Sequence, residues 1–199
     1  MIDMYILGIV WSISSINSDE RIVFRHKEKY FLQCLQSYFG GTIYEQEART
    51  DKQYVLKFKR DDLLLELNEF GYSSRNSNNR IVPIIADKKF LQAYLEIHSK
   101  ADWQTAYSNN RKRKYKKVRI RVYGNSGLIN GINILMRDII GVELKTPQKC
   151  HNEKTMYLSY GSQAEIDIIC NAFINEDIRY IEYWDKISSM INEYNSFKY

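Results

Sequence analysis

The chain repeats itself. Glu20-Arg-Ile-Val-Phe-Arg25 lies on Val118-Arg-Ile-Arg-Val-Tyr123 at an offset of 98 residues, so that Arg21 meets Arg119, Ile22 meets Ile120 and Phe24 meets Val122. Lys52-Gln-Tyr-Val-Leu56 lies on Lys154-Thr-Met-Tyr-Leu158 at an offset of 102, and apolar helical segments centred on Gly8 and Ala93 stand 85 apart. A chain of 199 residues that writes its elements twice is expected to fold as two similar units sharing one core. The growth of the offset from 85 to 98 places an insertion between the first helix and the second strand of the second unit.

Apolar periodicity assigns the elements of each unit. In the first, helices are expected at 4–13, 28–39 and 61–70, with strands at 20–26, 42–47 and 53–59. In the second, helices are expected at 87–98, 126–139, 162–173 and about 177–194, with strands at 101–107, 117–123, 142–146 and 155–160. Gly40-Gly41, Gly71 and Gly141 fall where helices should stop. The expected fold class is α+β: two pseudosymmetric αββαββα repeats forming a saddle of antiparallel sheets with helices on one face. The first unit spans 1–86 and the second 87–199, with the C-terminal helices in the second.

Charge separates the units. Residues 1–86 hold 11 Lys/Arg against 11 Asp/Glu, whereas 87–199 hold 18 against 13. The excess sits in Arg111–Arg121, RKRKYKKVRIR, where eight of eleven residues are basic and none is acidic. A basic stripe on an otherwise balanced protein is the electrostatic footprint of a polyanion partner. Alternation in 117–123 sends Val118, Ile120 and Val122 to one face and Lys117, Arg119, Arg121 and Tyr123 to the other. In the first unit the same split leaves Arg21, Val23 and Arg25 outward.

The three cysteines, Cys34, Cys150 and Cys170, are odd in number and form no CxxC pair, which points to a reducing compartment without disulfides or a zinc site. Cys34 and Cys170 are placed on apolar helix faces. The apolar run Tyr5–Ile16 lacks a basic leader and is shorter than the about 20 residues a membrane span needs, so it is read as a buried helix. These features imply a cytoplasmic, nucleoid-associated protein with no membrane partner.

The sequence also resembles the LAGLIDADG homing endonuclease family over almost its whole length. Tyr5-Ile-Leu-Gly8-Ile-Val-Trp11-Ser-Ile13-Ser14-Ser-Ile16 is similar to the family's YLLGLIWADGSI motif helix. Phe90-Leu-Gln-Ala93-Tyr-Leu-Glu96-Ile-His98-Ser99 resembles the second motif. Gly71, Ser77 and Pro83 resemble the ending of a first unit, and Ile178–Lys186 the closing aromatic segment. The resemblance implies that the two motif helices pack side by side, with Gly8 and Ala93 as the small residues of the seam. It also implies that one carboxylate from each helix end would hold a divalent metal beside the scissile phosphates. Those positions are Ile13 and His98 here, followed by Ser14 and Ser99 where the family has glycine. Isoleucine has no ligand atom, and one imidazole does not replace two hard oxygen ligands. The expectation drawn is loss of the catalytic acids, no metal or other cofactor, and a chain that is not an enzyme. Glu96 is read as a structural or solvated acid, Trp184, Tyr180 and Tyr183 as packing onto the second unit, and His26 and His151 as ordinary histidines.

The expected function is sequence-specific binding of double-stranded DNA by a monomer with internal pseudo-two-fold symmetry, serving as a transcription regulator of bacterial or phage origin. In the first unit the DNA-contacting candidates are Arg21, Arg25, Arg49, Lys52 and Lys57. In the second they are Asn109, Asn110, Arg111, Lys112, Arg113, Lys114, Lys116, Lys117, Arg119, Arg121, Tyr123 and Lys145. Arg119 and Arg121 suit guanine edges, and the lysines suit phosphates. A residually active metal-dependent endonuclease, an RNA-binding maturase-like splicing cofactor using structured RNA, and a protein-interaction module stay open as alternatives.

Overall fold

A computed structural model of the chain describes residues 2–47, 52–72, 80–107, 114–151, 154–173 and 181–196. The first unit runs α1 (Met4–Ile13), β1 (Ser14–Ile16), β2 (Ile22–His26), α2 (Lys29–Phe39), β3 (Thr42–Glu47), β4 (Lys52–Phe58) and α3 (Asp61–Glu69). The second runs α4 (Lys88–His98), β5 (Ser99–Tyr107), β6 (Lys114–Gly124), α5 (Ser126–Leu135), β7 (Gln148–Lys149), β8 (Met156–Tyr160), α6 (Gln163–Phe173) and α7 (Ile181–Ser196). Each unit builds an antiparallel four-stranded sheet, in the orders β1-β2-β4-β3 and β5-β6-β8-β7. The letter repeat survives in the register. Phe24 stands opposite Leu56 in one sheet, and Val122 opposite Leu158 in the other. These are the pairs that the two offsets superpose. All eight strands and seven α-helices among the described residues form one α+β molecule.

The two long seam helices start alike. The Asp3 carboxylate accepts from the N–H groups of Tyr5 and Ile6, and the Asp87 carboxylate from that of Phe90. Such caps satisfy donors that the first turn leaves open. Each helix ends in a serine with extended backbone, Ser14 or Ser99, which begins the next strand. α1 is apolar on every side, the composition of a helix enclosed by protein. It packs along α4, and a Cβ at Gly8 would lie 2.6 Å from the Phe90 carbonyl oxygen and 2.8 Å from Ala93 Cβ. Glycine is therefore required there by close backbone approach. The segment leading to α4 is strapped onto the seam. Trp11 Nε1 donates to the Ile81 carbonyl, while the fully buried Arg80 donates from Nη1 to the Trp11 carbonyl and lies over the Tyr72 ring.

Several expectations change in detail. β1 is a three-residue strand, too short for alternation to show, and exists because it pairs with β2. The helix expected at 126–139 is α-helical only to Leu135; a π turn, Met136–Ile140, follows and ends at Gly141 with φ of +86°. No strand forms at 142–146. There the Asn133 side chain bonds both the N–H and the carbonyl of Lys145, taking backbone groups a ladder would use, and the edge strand is displaced to Gln148–Lys149. In α2 the buried stripe is Leu32, Leu35 and Phe39, so Cys34 is exposed rather than on the apolar face. Cys170 does pack against the core. Among the described residues no helix is long and apolar enough to cross a membrane.

Candidate nucleic-acid interface

Among the described residues, helices pack on one face of each sheet and none covers the other. On β6 the side chains of Val118, Ile120 and Val122 are buried in the core, so Lys117, Arg119, Arg121 and Tyr123 occupy the opposite face. Register brings Lys100, Asp102 and Gln104 of β5, and Tyr157 and Ser159 of β8, onto that same face. In the first sheet Ile22, Phe24, Leu56 and Phe58 are buried beneath the helices. Val23, Arg25, Val55 and Lys57 lie on the open side, together with Tyr44 of β3.

The two open faces differ in chemistry. At the positions of Arg119 and Arg121 the first unit has Arg21, in the turn before β2, and Val23. Val23 is buried even though it faces away from the helices, as is Val55. Arg25 donates from Nη1 to Ser15 Oγ at 3.0 Å. In the second unit Asp102 Oδ1 accepts from Arg119 Nε at 2.9 Å, and Asp102 Oδ2 pairs with Arg121 Nη2. The Arg121 guanidinium also lies over the rings of Tyr123 and Tyr157. Burial, the larger influence, raises the Tyr123 phenol above its ordinary pKa, against the lowering pull of Arg121.

The remaining candidates are distributed as follows. Lys57 stands between Val23 and Thr42. Lys52 shares the helix-facing parity of Leu56 and Phe58 and is ion-paired with Glu45 at 2.8 Å, which takes it off the open face. Lys114 and Lys116 likewise have the parity of Val118; both are exposed, and Lys114 lies over the Tyr107 ring. Lys145 is ion-paired with Glu165 and lies over Tyr160, so its charge is already engaged. Arg49, Asn109, Asn110, Arg111, Lys112 and Arg113 lie outside the described residues, as do Ser77 and Tyr180. Reading the sequence missed Lys100, Asp102, Gln104 and Ser159. The alternation of β5 could have placed Asp102 and Gln104 on one face, but only the register says which cations they meet.

At the foot of the seam Ile13 is buried, and His98 Nε2–H donates to the Ser12 carbonyl at 2.8 Å. Ser14 Oγ donates to the Val10 carbonyl and accepts from the Tyr72 hydroxyl, while Ser99 Oγ bonds the Tyr183 hydroxyl. Glu96, on the far side of α4 from His98, is enclosed. Its carboxylate accepts from the Tyr5 hydroxyl, from Gln92 Nε2 and from Trp184 Nε1. The Trp184 ring packs on Phe173, so Trp184 and Tyr183 dock α7 against the second unit. A divalent ion between the seam helix ends, as the fold resemblance implies, is not fitted by these residues: Ile13 offers no ligand atom, and the His98 Nε2–H is engaged by a backbone oxygen. Among the described residues no group of three or more His, Cys, Asp or Glu could hold a metal.

Paired seam helices, each feeding an antiparallel sheet with an open face, define the class of molecule. No family model and no curated protein matches the sequence. Solved structures do match. The LAGLIDADG homing endonuclease I-LtrWI bound to target DNA superposes with a TM-score of 0.71 at 8% identity, covering 97% of this chain and 90% of that one. Meganuclease I-SmaMI bound to uncleaveable DNA gives 0.68 at 10% identity, covering 96% and 92%. I-SmaMI bound to cleaved DNA gives 0.65 at 12% identity, covering 98% and 91%. The chain has the single-chain, two-repeat LAGLIDADG fold. The same finding corrects one expectation. I-LtrWI and I-SmaMI are homing endonucleases, the latter captured on cleaved DNA, so the reading of the chain as a non-enzyme from Ile13 and His98 does not stand.

Proposed function

We propose that this chain recognises a specific double-stranded DNA sequence with the open faces of its two sheets, 1–86 and 87–199 each addressing one half of the site. The observation that carries the reading is the row Lys117, Arg119 and Arg121 on the sheet face away from the helices, in a fold shared with I-SmaMI and I-LtrWI, each solved bound to DNA. A two-stranded ribbon fits the major groove, where base edges carry a full donor and acceptor code. Lys100 and Lys117, flexible point charges at the margins of the face, suit phosphates. Both units reside in one chain, so a monomer presents both faces to an asymmetric site.

Selection of bound duplexes from a random library tests the reading, and a single recurring sequence is the expected result. Replacing Lys100 and Lys117 by Gln should weaken every duplex alike and reduce the slope of log affinity against log salt by roughly two. An unchanged slope would remove these lysines from the interface. Structured RNA should compete poorly with the selected duplex.

Strand cleavage is the second reading, favoured by the fold shared with I-SmaMI on cleaved DNA. Incubating the selected site in a supercoiled plasmid with Mg²⁺ or Mn²⁺ measures it directly. Nicked or linear product that persists in a His98→Ala variant would assign cleavage to groups other than the seam imidazole.

A further inference from the structure

The second sheet carries a carboxylate where a surface built for DNA would be expected to carry none. Asp102 stands directly across from Arg119, and Arg121 is two residues further along the same face of β6. One oxygen, Oδ1, lies 2.9 Å from both Nε and Nη2 of Arg119, while Oδ2 pairs with Arg121 Nη2. The three side chains are only 20–24% exposed. Arg121 is further held over Tyr123 and Tyr157, whose ring centroids are 5.9 Å apart. Among the described residues its Nε is buried without a hydrogen-bond partner.

A phosphate contact needs none of this. It is made well by a mobile cation, and a neighbouring carboxylate weakens it by repulsion and by halving the local charge. Reading a base edge needs the reverse: a planar fork fixed in orientation and a reduced pull toward the backbone. We propose that Asp102 is a positioning residue for sequence recognition, clamping Arg119 and Arg121 as a pair of rigid forks that read guanines one or two steps apart, and disfavouring phosphate at that spot. Two residues along a strand cover about 6.8 Å, which matches roughly two base steps of about 3.4 Å. Among its described residues the first unit has no such cluster, because Val23 stands at the position of Arg121 and Asn17 at that of Asp102. The guanine reading therefore belongs to one half of the site.

The inference rests on the DNA-recognition reading above, and one experiment separates the two. Full-length wild-type, Asp102→Ala and Asp102→Asn chains are put through the same selection from random duplexes, with affinity for non-specific duplex DNA measured alongside and folding checked by thermal melting. Wild type should return a sequence with guanines in one half. Asp102→Ala should lose preference for those guanines by about tenfold per position while binding non-specific duplex more tightly. Asp102→Asn, of the same shape without the charge, should move in the same direction by less. An unchanged selected sequence in both folded variants would overturn the clamp, as would an equal loss of affinity for all duplexes, which is what a merely structural role produces. Wild type that selects no sequence would overturn the DNA reading itself, and the clamp with it.

Discussion

Gly8→Val should cost the fold about 3 kcal/mol or more, read as a lowered midpoint in urea unfolding. Overfilling a packed interior usually costs about 1–3 kcal/mol because side chains can rotate away. Here the nearest obstacle is backbone: the Phe90 carbonyl oxygen lies 2.6 Å from the position of the new Cβ, and Phe90 Cα 3.2 Å. Relief requires α1 and α4 to separate, and they hold the two units together. Gly8→Ala should fall between, since the about 1 kcal/mol that alanine gains over glycine in a helix opposes the same contact. Adding Ala93→Gly to Gly8→Ala should recover only part of the loss, because Ala93 Cβ at 2.8 Å is one obstacle of two. A Gly8→Val chain as stable as wild type would mean that the helices are further apart than described.

Glu96→Ala should be comparably damaging. The carboxylate gathers three buried donors from three helices: the Tyr5 hydroxyl of α1, Gln92 Nε2 of α4 and Trp184 Nε1 of α7. A buried donor left without its acceptor costs about 1–3 kcal/mol, and a cavity is added, so a loss of about 4 kcal/mol is expected. Glu96→Gln should lose only about 1 kcal/mol, because an amide oxygen still accepts and the phenol can turn to accept from the amide. Tryptophan fluorescence during unfolding reads both effects, with Trp184 reporting on α7. If Glu96→Ala unfolds with the wild type, the network contributes no net stability and α7 is held by apolar packing alone.

How much of this was legible in the letters depends on what each feature rests on. The repeat could be read because Phe24 and Leu56, and Val122 and Leu158, do the same packing work in each sheet. The helices could be read because their apolar faces recur at helical spacing. The edge strand at 148–149 could not: its position depends on Asn133 reaching across to Lys145, a contact between residues that periodicity treats separately. The candidate site was legible where alternation sufficed, as for Lys117, Arg119 and Arg121. It was not where pairing decides, so Lys52 and Lys145 were counted as available cations although Glu45 and Glu165 engage them. Asp102 was overlooked because a lone acid in a strand says nothing until its cross-strand neighbour is known. Glu96 could be read only as structural or solvated, because the Trp184 indole that meets its carboxylate comes from 88 residues away.

Housing both units in one polypeptide frees each from having to match the other. The position taken by Arg121 in one sheet is Val23 in its counterpart, and Asp102 answers to Asn17. On the DNA-recognition reading proposed above, a double helix lying across such unequal palms would be seated in one heading only, because turning it end for end would set the arginine pair against the wrong letters. Polarity on the duplex would then be written into the polypeptide itself.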